Sequence, residues 1–384
     1  MKRVSRVNLG EVARESKLKA ADGEQLPTVG LEHLDPGDVE LHRWDESKES
    51  TFTKRFLPGQ VLFGRRRAYL QKAVVAPFEG VCSGDITVIE AIAGKISERL
   101  LPFVVQNPAL FDFAVEKSAG SLSPRVKWAR LSEFEFDLPS ESEQEELANT
   151  LWASQRVKSH YRALIQASDD LVKSRFIEMF GDPSDNPFDW PARKLSTIGS
   201  LRNGVNFKAN DKGFEIRSLG VSDFKDRSEI HDMELISKVE MSNPPRPTQL
   251  LQDGDVVFVR SNGNKELVGR CLAVYPGETP LTFSGFCISF RNETPSLALG
   301  YLLGFFKAQS TREKMRGRGA NIQNLNQQIL GELDVPMPPI ELQQEFCGFV
   351  RQVDKSKFAL QKTLDDLDAM TRKLMSEELG LGNV

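Results

Sequence analysis

The chain has 384 residues, with 50 Lys and Arg against 54 Asp and Glu, a net charge of −4 and a pI near 5.8. That length exceeds what one hydrophobic core usually fills, so two or more domains are expected, and the mild acidity argues against indiscriminate coating of DNA while permitting local basic patches. No apolar run reaches the roughly 18 residues of a membrane helix and no signal-peptide core opens the chain; four cysteines (Cys82, Cys271, Cys287, Cys347) outside any CxxC or Cys/His spacing fit reduced thiols in the cytoplasm.

In chain order, Pro58-Gly59-Gln60 introduces a strand at Val61-Leu62-Phe63. A basic loop follows, Arg65, Arg66 and Arg67 with Lys72, and then strands at Lys72 to Ala76 and Ile86 to Ile89. Ser83-Gly84 lies between those strands, and a short helix is expected from Glu98 to Asn107. A second basic stretch, Ser123-Pro124-Arg125-Val126-Lys127, precedes a closing strand that ends at Leu138-Pro139. From Ser142 to Phe180 there is neither Gly nor Pro, and Leu147, Leu151, Tyr161, Ile165 and Leu171 recur at helical spacing.

The same order then returns. Asp253-Gly254-Asp255-Val256-Val257-Phe258 matches the first strand at an offset of 195, and Ser284-Gly285 matches Ser83-Gly84 at 201. Polar loops with Arg260, Asn262, Asn264 and Lys265, and later Arg316, Arg318 and Asn324, take the places of the two basic clusters. A helix is expected from Leu297 to Lys307, and a strand and proline turn close the block at Met337-Pro338-Pro339. Helical spacing then resumes with Leu360, Leu364, Leu367, Met370 and Leu374, and the series 360–364–367–371–374 has the 3–4 alternation of a coiled-coil seam, broken by the polar Thr371. Residues 1–139, 140–181, 182–338 and 339–384 carry net charges of 0, −2, 0 and −2, so the duplication extends to electrostatics. A period near 199 residues denotes a duplicated domain and not a solenoid of short units. Within the strand-rich blocks, Arg suits guanine or phosphate, and Asn suits adenine.

Signals of catalysis are missing. There is no Walker A loop, no GxGxxG after a strand, no GxSxG and no HExxH. The four histidines (His33, His42, His160, His231) lie apart from one another and from the cysteines, so no metal site is expected. Asn243-Pro244-Pro245-Arg246 has an arginine where a base-holding NPP loop has a stacking aromatic, and reads as a proline turn.

Taken in order and twice over, three features resemble the specificity subunit of type I restriction-modification systems. They are the strand Leu57-Pro58-Gly59-Gln60-Val61-Leu62-Phe63 with its counterpart Gln252 to Phe258, the paired Ser-Gly loops, and the proline–glutamine start of each helical block. Asn8-Leu9-Gly10-Glu11-Val12-Ala13 and Lys194-Leu195-Ser196-Thr197-Ile198-Gly199 are similar to the family's usual opening of a recognition domain. The resemblance implies a mixed α/β (α+β) fold with a pseudo-two-fold internal repeat. Two target-recognition domains (1–139 and 182–338) would be separated by a central (140–181) and a C-terminal (339–384) helical region, which pair as an antiparallel coiled coil.

It further implies a non-enzymatic subunit that reads one half of a gapped, asymmetric site in double-stranded DNA with each domain. The helical regions would dock two methyltransferase subunits, with restriction subunits joining in the full complex. This chain would bind no cofactor, while S-adenosylmethionine, ATP and Mg belong to those partners. The DNA-contact candidates are Arg65, Arg66, Arg67, Lys72, Arg125, Lys127, Arg260, Asn262, Lys265, Arg316, Arg318 and Asn324; the partner-helix candidates are Leu147, Leu151, Tyr161, Leu360, Leu364 and Leu367. Two readings from other classes are a fragment of a fused or divergent DNA methyltransferase, and a structural adaptor that binds no DNA.

Overall fold

The computed structural model describes residues 5–21, 23–46, 51–120, 123–207, 211–224, 227–316 and 324–381, with the backbone alone at Lys265. By its internal contacts the chain divides into two compact units, residues 1–163 with 360–384 and residues 164–359. Each long helix thus contributes one half to each unit.

In the first unit the apolar run predicted as a strand forms Val61–Gly64, buried throughout. It pairs antiparallel with Ile86–Ala91 on one side and Ala73–Val75 on the other, and Ala13–Glu15 completes the sheet. Strand alternation sends Val61 and Phe63 into one core and Leu62 into another, which explains why the run is apolar without interruption. The expected Glu98–Asn107 helix is shortened to Leu101–Val105, and a further helix, Pro108–Glu116, follows it. Asn107 caps the second, its Oδ1 accepting from Ala109 N at 2.9 Å with proline in the first turn. The closing strand Glu135–Leu138 pairs antiparallel with Ser5–Asn8.

The second unit is built around Asp255–Val259, which lies antiparallel between Cys271–Val274 and Cys287–Asn292. Val256 and Phe258 enter one core, Val257 and Val259 another. The closing strand Asp334–Pro336 pairs antiparallel with Ala192–Lys194. The turns into the two central strands match. Gly59 and Gly254, both in the left-handed region at φ +85° and +83°, donate to Ala76 O (2.8 Å) and Val274 O (2.9 Å). Leu299–Lys307 forms the expected helix; a Cβ on its Gly304 would lie 2.5 Å from the Phe176 ring, so only glycine permits that approach.

The long helices span Glu141–Phe180 and Ile340–Leu379. The first needs no double proline to start. Ser140 caps it, with Gln144 N donating to Ser140 O at 2.8 Å and Glu143 Oε2 accepting from Ser140 N at 2.9 Å. Each helix is anchored by a buried glutamine in its first turns. Gln144 accepts from Ser97 N (2.8 Å) and donates to Pro139 O (3.0 Å). Gln343 accepts from Ala298 N (2.8 Å) and donates to Pro338 O (2.8 Å) and Ser296 O (3.1 Å).

Within each unit the two helices run antiparallel. In the first, Ser154 meets Thr371 (3.0 Å) and Lys158 meets Asp368 (2.7 Å). In the second, Arg175 meets Glu345 (3.1 Å), Phe176 and Phe180 pack edge-on against Phe346, and Asp169 pairs with Lys357. Leu147, Leu151 and Leu364 are buried, and Tyr161, Leu360 and Leu367 are half-buried. Leu171 and Met370 depart from the expected stripe, standing 53% and 57% exposed. Half-buried Val172 and Thr371, one residue on, hold the inward positions at those turns.

Gln343→Leu would leave a backbone donor and two carbonyls without a partner inside the protein, each costing about 1–3 kcal/mol. Its urea unfolding midpoint is expected to fall well below that of wild type, whereas Phe358→Ser, at a side chain 74% exposed, stays within about 0.5 kcal/mol.

Candidate nucleic-acid interface

The residue after each central strand is hydrogen bonded on both sides. Arg65 N donates to Asp85 O (3.0 Å), and Arg65 O accepts from Val126 N (3.0 Å). Arg260 N donates to Phe286 O (2.8 Å), and Arg260 O accepts from Leu325 N (2.9 Å). In each unit this brings together three segments far apart in sequence: the loop after the strand, the Ser-Gly turn, and the loop before the closing strand. The matches equate Arg65 with Arg260, Asp85 with Phe286, and Arg125 with Asn324.

In the first unit the side chains of neighbouring residues diverge. Arg66 and Arg125 turn to Asp85. Arg125 makes a two-pronged contact (Nε to Oδ1 2.6 Å, Nη2 to Oδ2 3.2 Å), and Arg66 adds Nη1 at 3.4 Å while its Nη2 donates to Ser123 Oγ at 3.1 Å. The hydrogen bonds from Arg125 hold the Asp85 carboxyl below the usual carboxylate range, against the opposing effect of partial burial. Arg65 lines an open cleft of about 840 Å³ in which the cations Arg14, Lys17 and Lys127 and the ring of Trp128 are joined by two carboxylates, Glu15 and Glu90. Arg67 is exposed, with left-handed backbone at φ 55°, and is tied by its N–H to Pro124 O at 2.9 Å. Lys72 is half-buried, and its Nζ is held by Leu31 O at 2.7 Å.

The second unit is more polar and less charged. Asn262 Oδ1 accepts from Asn264 N (2.8 Å) and Asn264 Oδ1 from Glu266 N (3.0 Å), so these amides shape their own loop. Arg316 donates to Glu266, at 2.8 Å to Oε2 and 3.2 Å to O. Asn324 is exposed beside the buried Leu325. Arg318 and the side chain of Lys265 lie outside the described residues. Sequence reading passed over Asp85 and Phe286. The signal was there in the residue that follows Ser-Gly in both halves.

Among the described residues no group of His, Cys, Asp or Glu is disposed to hold a metal, and burial pushes the Cys82 and Cys287 thiols up to about 12. No helix among the described residues is long and apolar enough to cross a membrane. What the loops offer is fixed cations and amides on a rigid frame, suited to binding an anionic polymer and its base edges.

Comparison with known proteins gives consistent results. Residues 189–367 match the family described as the type I restriction modification DNA specificity domain. The chain is 27% identical over 199 residues to the putative type I restriction enzyme MjaX specificity subunit of Methanocaldococcus jannaschii, covering 50% of this chain and 45% of that one. It is 26% identical over 186 residues to the type I restriction enzyme EcoKI specificity subunit of Escherichia coli, covering 44% and 38%. The matches thus span less than half the length of these relatives. In fold it is similar to the S subunit of a type I restriction-modification system from M. genitalium, with a TM-score of 0.52 and 13% identity over 100% of this chain and 97% of that one. A structure described as showing complex assembly and conformational transition of the type I R-M system gives 0.51 and 19% over 98% and 97%.

Asp85→Asn tests the clamp. The folded pKa of Asp85 is lowered, so its contribution to stability is present above the ordinary carboxylate range and is lost as pH falls through the folded value. Wild type is expected to exceed Asp85→Asn in thermal midpoint at neutral pH by a small margin, since the pair is partly exposed. The two should converge in acid. A margin that widens on acidification contradicts the clamp.

Proposed function

We propose that the whole chain, whose residues 189–367 match the type I restriction modification DNA specificity domain, is a DNA-recognition subunit of such a system and carries no catalysis itself. In this reading residues 1–139 and 182–338 each recognise one half of a gapped, asymmetric duplex site. Residues 140–181 and 339–384 dock two methyltransferase subunits, with restriction subunits added in the complete assembly. S-adenosylmethionine, ATP and Mg belong to those partners, and the complex works in the cytoplasm.

The observation that carries this reading is the repeated tie at Arg65 and Arg260. It brings the loop after the central strand and the loop before the closing strand, which carry basic or amide side chains, to the same place in both units, beside the Ser-Gly turn. Phosphate contacts set position while contacts to base edges specify sequence, and the two units differ in residue type at the tie: Arg66 and Arg125 in one, Ser261 and Asn324 in the other. Two different half-sites follow from that difference. Lys72, bonded to Leu31 O, is left out of the proposed surface.

The test is binding by the complex with its methyltransferase to cognate and scrambled duplexes across a salt series. Arg67→Ala, at an exposed site suited to phosphate, should weaken both duplexes and flatten the logarithmic salt slope by about one unit. Asn324→Ala should cost about 1–3 kcal/mol on the cognate duplex only. Wild-type affinity of both variants for both duplexes would show that these loops do not face DNA. An assembled complex that shifts no duplex even at low salt would favour an adaptor role.

A further inference from the structure

The two units share one backbone geometry at the Ser-Gly turn and differ sharply in what it presents. Ile86 N donates to Ser83 O at 2.9 Å and Cys287 N to Ser284 O at 2.8 Å. The serine Oγ accepts from the N–H of Asp85 at 3.2 Å in one and of Phe286 at 3.3 Å in the other. Asp85 is drawn back onto Arg66 and Arg125, whereas Phe286 stands 60% exposed.

Its position is well held. The Phe286 carbonyl accepts from Arg260 N, and Gly285 N donates to Val205 O at 2.8 Å, so the turn is pinned on both sides. A phenyl group left in water forgoes the favourable burial of a large apolar surface, and this one adjoins Arg260 at the tie that also orders Leu325. Along the major-groove edges of DNA the prominent apolar group is the C5-methyl of thymine, set among hydrogen-bond donors and acceptors.

We propose that Phe286 is a specificity-determining residue that packs on a thymine methyl in the second half-site. The inference rests on the DNA-recognition reading above. It assigns to the second unit an apolar contact where the first has the Asp85 clamp on Arg66 and Arg125, so one side chain on a shared turn adds to the differences between the half-sites.

The experiment uses the complex with its methyltransferase and a cognate duplex in which each thymine of the second half-site, on either strand, is replaced singly by deoxyuridine, which removes only the methyl. At one position uracil is expected to weaken wild-type binding about fourfold, the value of burying one methyl-sized group. Phe286→Ala should bind the thymine and uracil duplexes alike at that position, and Phe286→Leu should keep part of the preference. Equal urea midpoints for wild type and variants show that the fold is unchanged; Phe286→Leu carries the test if Phe286→Ala is unstable. Uracil responses identical in wild type and variants, or a second half-site without thymine, would overturn the proposal while leaving DNA recognition intact. Failure of wild type to prefer the cognate duplex over a scrambled one would overturn both.

Discussion

Everything offered to a ligand depends on the pair of backbone hydrogen bonds at Arg65 and at Arg260. A central strand buried on both faces cannot shift along its axis without exposing its apolar set, so its last residue is a fixed point. Tying two further segments to that point makes a rigid platform from loops, where loops alone would be mobile and slow to order on binding. The ion pairs and Asx turns around it refine directions that the backbone has already set.

The same frame tolerates large changes in side-chain chemistry. At the start of the first central strand, Gln60 donates to Glu90 at 2.5 Å, and Glu90 in turn accepts from Arg14 at 2.6 Å. The matching positions in the second unit are Asp255 and Arg291, joined through two hydrogen bonds of 2.7 and 2.8 Å. The carboxylate has changed strands and the pair is still satisfied, as a polar group buried next to a core must be. Such an exchange leaves the antiparallel pairing of the central strand with its two neighbours the same in both units. The buried glutamines are the contrasting case. Gln144 and Gln343 keep both identity and partners, because an amide alone can both accept from the N–H ahead of the helix block and donate to the proline carbonyl.

Much of this was legible in the chain. Val61-Leu62-Phe63 and Val256-Val257-Phe258 read as buried strands because continuous apolar runs bounded by turns have few other solutions, and the Gly and Pro before them mark the turns. The helical blocks read as helices because the first holds neither Gly nor Pro after Ser142 and the second is interrupted only by Gly348. Composition could not say which turns face inward: Leu171 and Met370 are apolar yet exposed, because Val172 and Thr371 hold the contact positions. Nor could it separate a cation that serves the fold from one that faces outward. Lys72 reads like the neighbouring arginines until its bond to Leu31 is seen. Asp85 and Phe286 escaped because their importance lies in partners 19 to 40 positions away, at Arg65, Arg66, Arg125 and Arg260. No local pattern records those distances.

The most direct test of the central claim, that each unit reads its own half of the site, is a genome-wide map of base methylation. Cells would express this chain with its methyltransferase, or a version in which residues 1–139 are replaced by the equivalent block of a relative. The account predicts that one half of the methylated motif changes while the other half and the gap stay the same. Change in both halves, or in the gap with the long helices untouched, would contradict it.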